Sequence, residues 1–488
     1  VRTTDTSATV TRLADQGHLI GGTWRPGSAA GTYAHHYAAT GRLQAEVGLA
    51  GPGDVDDAVA AARQAQPAWA SLAPTRRAAV LYRLADLLEG HADEAAALAA
   101  LDNGTPVSVL QPGLYTAAWV RYYAGWCDKL DGETLAGGRT ATTVRLEPYG
   151  VVAVIPPWNG SMMGMGQKAA PALAAGNAVV AKPPELAPFG VLRFAELAAE
   201  AGLPPGVLNV VVGGATAGAA LAGHAGVDKI SFTGGSATAR RLMAAAADHL
   251  TPLSLELGGK SPLLVFPDAD VDRAASVAAH LGAALLSGQG CALPTRTYVH
   301  RDVYDDVAAK VVAAVGAVPV GDPLDPATLV GPVVTEPAME RILSVIGRAK
   351  SDGATLLAGG ARLGGELADG WFVAPTVFGD VDHTSDLARN EVFGPVQSLL
   401  RFDTEDEALA LANDSPYGLA AYLYTADPRR IERFVRELDT GTVLVNGMGR
   451  ISPAAPFGGT KQSGFGREGG RAGIEEMVRT KTVFTDQP

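Results

Sequence analysis

At 488 residues the chain exceeds the size at which one hydrophobic core keeps growing, so two large domains, or two with an appendage, are expected. A hydrophobic content of 47% against 18% charged residues describes an ordinary globular protein, and a formal net charge of −12 argues against nucleic acid or an anionic membrane as the main partner. Two cysteines cannot build a disulfide framework, and neither they nor the nine scattered histidines show metal-ligand spacing, so no metal and a reducing, cytoplasmic compartment are expected.

The first sixteen residues are Thr-rich and polar, without the basic start and apolar core of a signal peptide. From 54 to 101 apolar residues recur at spacings of three and four, as at Leu81, Leu84 and Leu88, which predicts two or three helices stopped by Leu101-Asp102-Asn103-Gly104. A further helix over 114–130 carries Tyr115, Trp119, Tyr122 and Tyr123, mostly core at that spacing, and Cys127 near its end reads as packing. Thr, Gly and alternating Val and Leu over 130–149 predict a β-ribbon that could serve as an oligomer arm. No uncharged stretch has the Leu, Ile and Phe density of a membrane span; the longest, 209–227, is mostly Gly and Ala and reads as strand, turn and helix.

Regular alternation begins at 151. Short β-branched runs at 151–155, 178–181, 208–212, 229–232 and 252–257 are separated by Ala-rich helical stretches, the pattern of a doubly wound parallel sheet in an α/β fold. Ligands of such sheets sit at the carboxyl ends of the strands. There stand Pro156-Pro157-Trp158-Asn159-Gly160 after the first run and Lys182-Pro183-Pro184-Glu185 after the second. Glu185 reads either as an adenosine-ribose acceptor or as a solvated helix-start carboxylate. Thr233-Gly234-Gly235-Ser236 after the fourth run offers a helix N-terminus suited to a pyrophosphate, although no strict GxGxxG is present.

Beyond 261 the alternation is less regular. Strands at 263–266, 296–299 and 442–445 and helices at 271–286, 301–315 and 428–438 predict a second α/β domain, with the junction near Gly258-Gly259. Within it the segment 285–296, Leu-Leu-Ser-Gly-Gln-Gly-Cys-Ala-Leu-Pro-Thr-Arg, sets Cys291 among glycines with little bulk to shield it. A lone thiol in that setting reads equally as a small core residue and as a nucleophile. The Gly-dense stretch 456–471, with Lys461, Arg467 and Glu468 interspersed, predicts loops that approach a ligand or a subunit closely.

Taken together, these stretches resemble the aldehyde dehydrogenase superfamily from about residue 19 to 484. The motifs fall in the family's order: Pro157-Trp158-Asn159, Pro171 to Asn177, Lys182 to Glu185, Phe232-Thr233-Gly234, Leu255 to Lys260, Gly288-Gln289-Gly290-Cys291, Glu391 to Pro395 and Pro456-Phe457-Gly458-Gly459. The resemblance implies a dinucleotide-binding domain over 1–129 and 150–257, a catalytic domain over 258–459, and an oligomerisation ribbon and C-terminal arm over 130–149 and 460–488, assembled as a homodimer or homotetramer. It makes Cys291 the nucleophile, Glu256 the general base, Asn159 with the Cys291 backbone N–H the oxyanion donors, and Lys168 an electrostatic support. It places Pro156, Trp158, Lys182, Glu185, Gly235, Gly258, Glu391 and Phe393 at the cofactor. The charge of Glu185 favours NAD, while Lys182 leaves NADP open, and Gly235 stands where many members carry Ser.

By the same matching, Tyr115, Gly160, Met163, Gln167, Leu285, Ile451 and Phe457 line the aldehyde entrance. Gly160, Gln167 and Leu285 replace residues that are often aromatic in the family, which predicts a widened, apolar tunnel and a bulky apolar or aromatic aldehyde as substrate. Arg450, if turned inward, would hold a carboxylate and make the substrate a semialdehyde. A coenzyme A-acylating relative and a catalytically silent protein on the same fold compete with this reading; Glu256 speaks against the first, and Cys291, Asn159 and Glu256 together against the second.

Overall fold

The computed structural model describes residues 3–27, 29–135, 140–449 and 451–486. Five parallel strands, Val151–Ile155, Ala178–Ala181, Leu208–Val210, Lys229–Thr233 and Leu253–Glu256, form the centre of an eight-stranded sheet. In space they run third, second, first, fourth, fifth. Alternate residues explain why the sheet is covered on both faces: Val152 and Val154 enter one apolar cluster, and Val151, Ala153 and Ile155 the other. The order reverses around Val151–Ile155, so a crevice opens at its carboxyl end, where Pro156 to Asn159 follow. His18–Ile20 and Thr23–Arg25 extend one edge, and Gly464–Phe465 pairs antiparallel with Leu253–Glu256 at the other.

Residues 257–261 lead from this sheet to Pro262–Val265, an interior strand of a seven-stranded sheet. Its order is Thr355–Ala358, Thr376–Gly379, Val396–Phe402, Arg296–His300, Pro262–Val265, Ala420–Tyr424 and Thr442–Val445, and all but the first are parallel. A third sheet joins Glu133–Leu135 and Thr140–Pro148 to Val478–Asp486, with Val478 opposite Pro148 and Asp486 opposite Thr140.

Two elements differ from the pattern expected of the sequence, and a third forms where no element was expected. The Thr-rich start forms a helix, Thr3–Gln16, because Val10 and Leu13 are buried against the first core. The helix over 114–130 instead occupies Pro112–Ala124, started by proline in its first turn, where the missing N–H costs nothing. The helix over 271–286 is α-helical only over Val271–Ala279; a π turn follows over His280–Ala284, and Leu286 and Ser287 are left-handed at φ +53°. Gly288 continues the bend at φ +70°, where a Cβ would lie 1.9 Å from the Gly394 carbonyl oxygen. Only glycine passes so close to another backbone there, and the bend delivers Cys291 to the crevice.

Candidate active site

A cavity of about 600 Å³ runs along the carboxyl ends of the first sheet. Pro156, Trp158, Lys182, Glu185, Gly235, Gly258, Glu391 and Phe393 all line it, as do Asn159 and Cys291. Lys182 is buried, its ammonium donating to the Gly213 carbonyl, and burial pulls it down to about 8 against the opposing pull of Glu185. Gly235 precedes the helix Ser236–Ala246, and a Cβ there would meet nothing within 4 Å, so the helix start stays open to an anionic group. At the other end Trp158 and Phe393 meet edge to face, ring centres 5.4 Å apart. The Gly259 N–H donates to Glu391 Oε1 at 3.1 Å, and a Cβ on Gly258 would collide with that carboxylate at 2.2 Å. Burial pushes Glu391 up to about 7.

Cys291 is partly exposed where this groove ends. Burial, and then the nearby carboxylates of Glu391 and Glu256, push its thiol up to about 12, so the resting group is the thiol and not the thiolate. Asn159 lies beside it in the cavity wall and donates from Nδ2 to the Gln289 carbonyl at 2.7 Å. An amide nitrogen carries two N–H bonds, so one fixes the side chain and the second is left for another acceptor.

Glu256 ends the strand that pairs with Lys229–Thr233, opposite Thr233. It is only 5% exposed, and its Oε2 has no hydrogen-bond partner among the described residues. Burial raises it well above the usual carboxylate range, Glu468 raises it further, and Lys168 and Arg467 pull the other way. Lys168 sits in a π turn, Met165–Ala169, which turns its side chain into the interior; its ammonium pairs with Glu468 Oε1 and lies 3.5 Å from Ser231 Oγ. The C-terminal segment closes tightly here, since a Cβ on Gly458 would be 2.7 Å from Glu256 Oε1.

On the aldehyde side the residues form pairs. Gln167 donates to the Tyr115 hydroxyl at 3.1 Å, and a Cβ on Gly160 would be 2.8 Å from the Met163 methyl, so Met163 occupies space that the glycine leaves. Phe457 is buried, with its N–H and carbonyl bonded to the backbone of Glu468. Leu285 is half-buried at the end of the π turn and Ile451 is 40% exposed; neither lines the nucleotide cavity. Arg450 lies outside the described residues. Glu468 is the group near Glu256 that the sequence did not single out for the site, although it stands in the Gly-dense stretch expected to approach a ligand. Asn103, Gln289 and the cavity-lining Thr238 and Arg241 were also unassigned. Among the described residues no group of three or more His, Cys, Asp or Glu side chains could hold a metal, and no helix is long and apolar enough to cross a membrane.

The cavity at the switch point of the doubly wound sheet, ending on the Cys291 thiol with the buried Glu256 carboxylate near it, is the candidate active site. Residues 24–483 match the model of the aldehyde dehydrogenase family, and the chain belongs to that family, as an NAD(P)-dependent enzyme acting on aldehydes. It is 41% identical over 450 residues to the betaine aldehyde dehydrogenase of Cereibacter sphaeroides, covering 92% of each chain. Among solved structures, HpcC from Thermus thermophilus is similar at a TM-score of 0.96 and 36% identity, over 100% of this chain and 96% of that one. A point mutant of betaine aldehyde dehydrogenase from Staphylococcus aureus, in complex with NAD+ and with a BME-modified cysteine, is similar at 0.94 and 34% identity, over 98% and 97% of the two chains.

Proposed function

We propose that the chain oxidises an aldehyde to the free carboxylic acid with NAD, through a thiohemiacetal and a thioester on Cys291, and that its substrate is a bulky apolar or aromatic aldehyde. The observation that carries this reading is the convergence on one cavity of Asn159, Cys291 and the residues at the strand ends, with the Glu256 carboxylate buried near Cys291 and its Oε2 without a hydrogen-bond partner among the described residues.

The groove fits a dinucleotide. Gly235 leaves the helix start open, which supports a pyrophosphate there; Glu185 is the acceptor proposed for the adenosine ribose, with Lys182 beside it, and Glu391 and Phe393 line the end proposed for the nicotinamide half. When bound, NAD accepts the hydride that leaves the substrate carbon. Glu185 would meet a 2′-phosphate with like charge, and Lys182 is buried and already bonded to Gly213, which supports NAD over NADP.

The protein's own groups carry the remaining steps. The Cys291 thiol gives up its proton to water in the open groove, and its sulfur bonds to the carbonyl carbon. The second N–H of Asn159 and the Cys291 backbone N–H hold the resulting oxyanion. Once the thioester has formed, Glu256 takes a proton from water; the hydroxide adds to the acyl carbon and the thiolate leaves. Lys168, tied to Glu468, supports that base electrostatically. A free acid as product follows from Glu256 in this position, and transfer to coenzyme A does not require it.

Quaternary ammonium groups are held by aromatic faces. The tunnel has Gly160, Gln167 and Leu285 where such faces would stand, which supports an apolar substrate over betaine aldehyde. Phe484 and Leu135, exposed on the three-stranded sheet, support its use as an oligomer contact in a homodimer or homotetramer.

The test is NADH absorbance from purified protein, NAD and a panel of aliphatic, aromatic, carboxylated and quaternary ammonium aldehydes, with and without coenzyme A. NADH from bulky apolar aldehydes without coenzyme A is expected, and Cys291→Ala should abolish it. No NADH from any aldehyde, or turnover surviving in Cys291→Ala, would sink the proposal.

A further inference from the structure

The oxyanion donor is gripped from two sides, and one grip comes from a turn far from the chemistry. The helix Ala92–Asn103 ends at Gly104, which is left-handed at φ +79° and packed so that a Cβ would lie 2.9 Å from Pro332. This turn sets Asn103, 5% exposed, against the crevice. Asn103 Nδ2 donates to the Trp158 carbonyl at 2.9 Å, and that carbonyl belongs to the peptide leading into Asn159. Its Oδ1 accepts from the Thr105 hydroxyl at 2.7 Å and the Thr105 N–H at 3.1 Å. With the oxygen end saturated by Thr105, the amide has one orientation, nitrogen toward Trp158.

The second grip belongs to the nucleophile's own loop. Asn159 Nδ2 donates to the Gln289 carbonyl, two residues before Cys291, and Gln289 is itself buried. Its Oε1 accepts from the Val334 N–H at 3.0 Å and its Nε2 donates to the Leu286 carbonyl at 3.1 Å. Pro332, against which the Gly104 turn packs, lies two residues before Val334, so both grips rest on one segment.

We propose that Asn103, oriented by Thr105, is a positioning residue for Asn159: it fixes the Trp158–Asn159 peptide so that the donor amide keeps its place relative to Cys291. This rests on the reading of Asn159 as the oxyanion donor. Asn103 bonds the carbonyl of Trp158, which also lines the cofactor groove, so its loss costs rate in acylation through the Asn159 amide in addition to any change in NAD binding through Trp158. A misplacement of about 1 Å at a reacting centre costs on the order of 100-fold, which sets the expected scale.

The experiment is a double-mutant cycle read by the pre-steady-state burst of NADH with a reactive aldehyde. Asn103→Ala should slow the burst by about 100-fold, and Asn159→Ala by ~100- to 1,000-fold. The burst is read at saturating NAD, which separates any shift of Trp158 in the cofactor groove from the loss at Asn159, and the rate at which iodoacetamide alkylates Cys291 should stay unchanged in Asn103→Ala. The double variant should be no slower than Asn159→Ala alone, because at saturating NAD the first change slows the burst only through the second residue. If Asn103→Ala slows the burst by the same factor in the Asn159→Ala background, its role is structural and the proposal is overturned. If Asn159→Ala leaves the burst intact, the donor reading itself fails. Thr105→Val, which keeps the volume and removes the hydroxyl, runs the same cycle without deleting the amide. A burst slowed by about tenfold in Thr105→Val and restored in Thr105→Ser supports the proposal; unchanged bursts in both overturn it.

Discussion

The two ends of the crevice are built differently. On the side proposed for the nucleotide most residues follow a strand end or open a helix, and their place comes from backbone geometry, as with Gly235 before Ser236–Ala246 and Gly258 against Glu391. On the aldehyde side the positions are settled by side chains packing on one another, as Met163 on Gly160 and Gln167 on Tyr115. Backbone placement survives substitution of neighbours, whereas side-chain placement moves with each of them. The cofactor half should therefore respond to mutation through charge, and the substrate half through shape.

The largest effect should come from Glu256, the proposed base. Glu256→Gln keeps the shape and removes the proton acceptor, so a burst of NADH followed by steady turnover lowered by ~100- to 1,000-fold is expected. An undiminished steady rate would remove Glu256 from hydrolysis. The pH profile of the unaltered enzyme comes next. Because burial and Glu468 raise Glu256 well above the usual carboxylate range, its basic form grows as pH rises. The Cys291 thiol, at about 12, adds in the same direction. Turnover should climb with pH by up to about tenfold per unit below the raised pKa, and a flat profile between about pH 6 and 8 would contradict it. Glu185→Ser tests the charge argument: kcat/KM for NADP relative to NAD should rise about tenfold, ~1.4 kcal/mol, and no change would place the discrimination elsewhere. Gly160→Ala should be mildest. Its Cβ meets the mobile end of Met163, so a change of about two- to threefold in kcat/KM for bulky aldehydes, with KM for NAD unmoved, is expected.

The same contrast explains what the amino-acid sequence made legible. Two central strands of the first sheet, Val151–Ile155 and Ala178–Ala181, are continuous apolar runs between breakers and stand out without any knowledge of their partners. Val396–Phe402 does not, because Gln397 and Ser398 interrupt its apolar run; both are buried, and Gln397 donates to Thr297, which only the folded sheet supplies, while its Oε1 has no partner among the described residues. The bend at Leu286 and Ser287 was equally hidden, since neither residue type signals a positive φ. Among the site residues, the cavity-lining set follows motifs, but the hydrogen bond from Asn159 to Gln289 joins positions 130 residues apart and has no local signature. Gly160 shows the limit most plainly: the missing side chain is visible in the sequence, and the methionine that fills the space is not.

The strand Gly464–Phe465 and the Glu468 that follows it finish the surroundings of a carboxylate made more than two hundred residues earlier. A ribosome that has released the first 450 residues has already made every strand of the doubly wound sheet except that edge. The nascent chain at that stage holds Cys291 and most of the nucleotide groove, but Lys168 lacks its counter-ion and Leu253–Glu256 has an open edge. On the proposed mechanism, the hydrolytic site is therefore complete only once the C-terminal segment has been made and has docked at that edge.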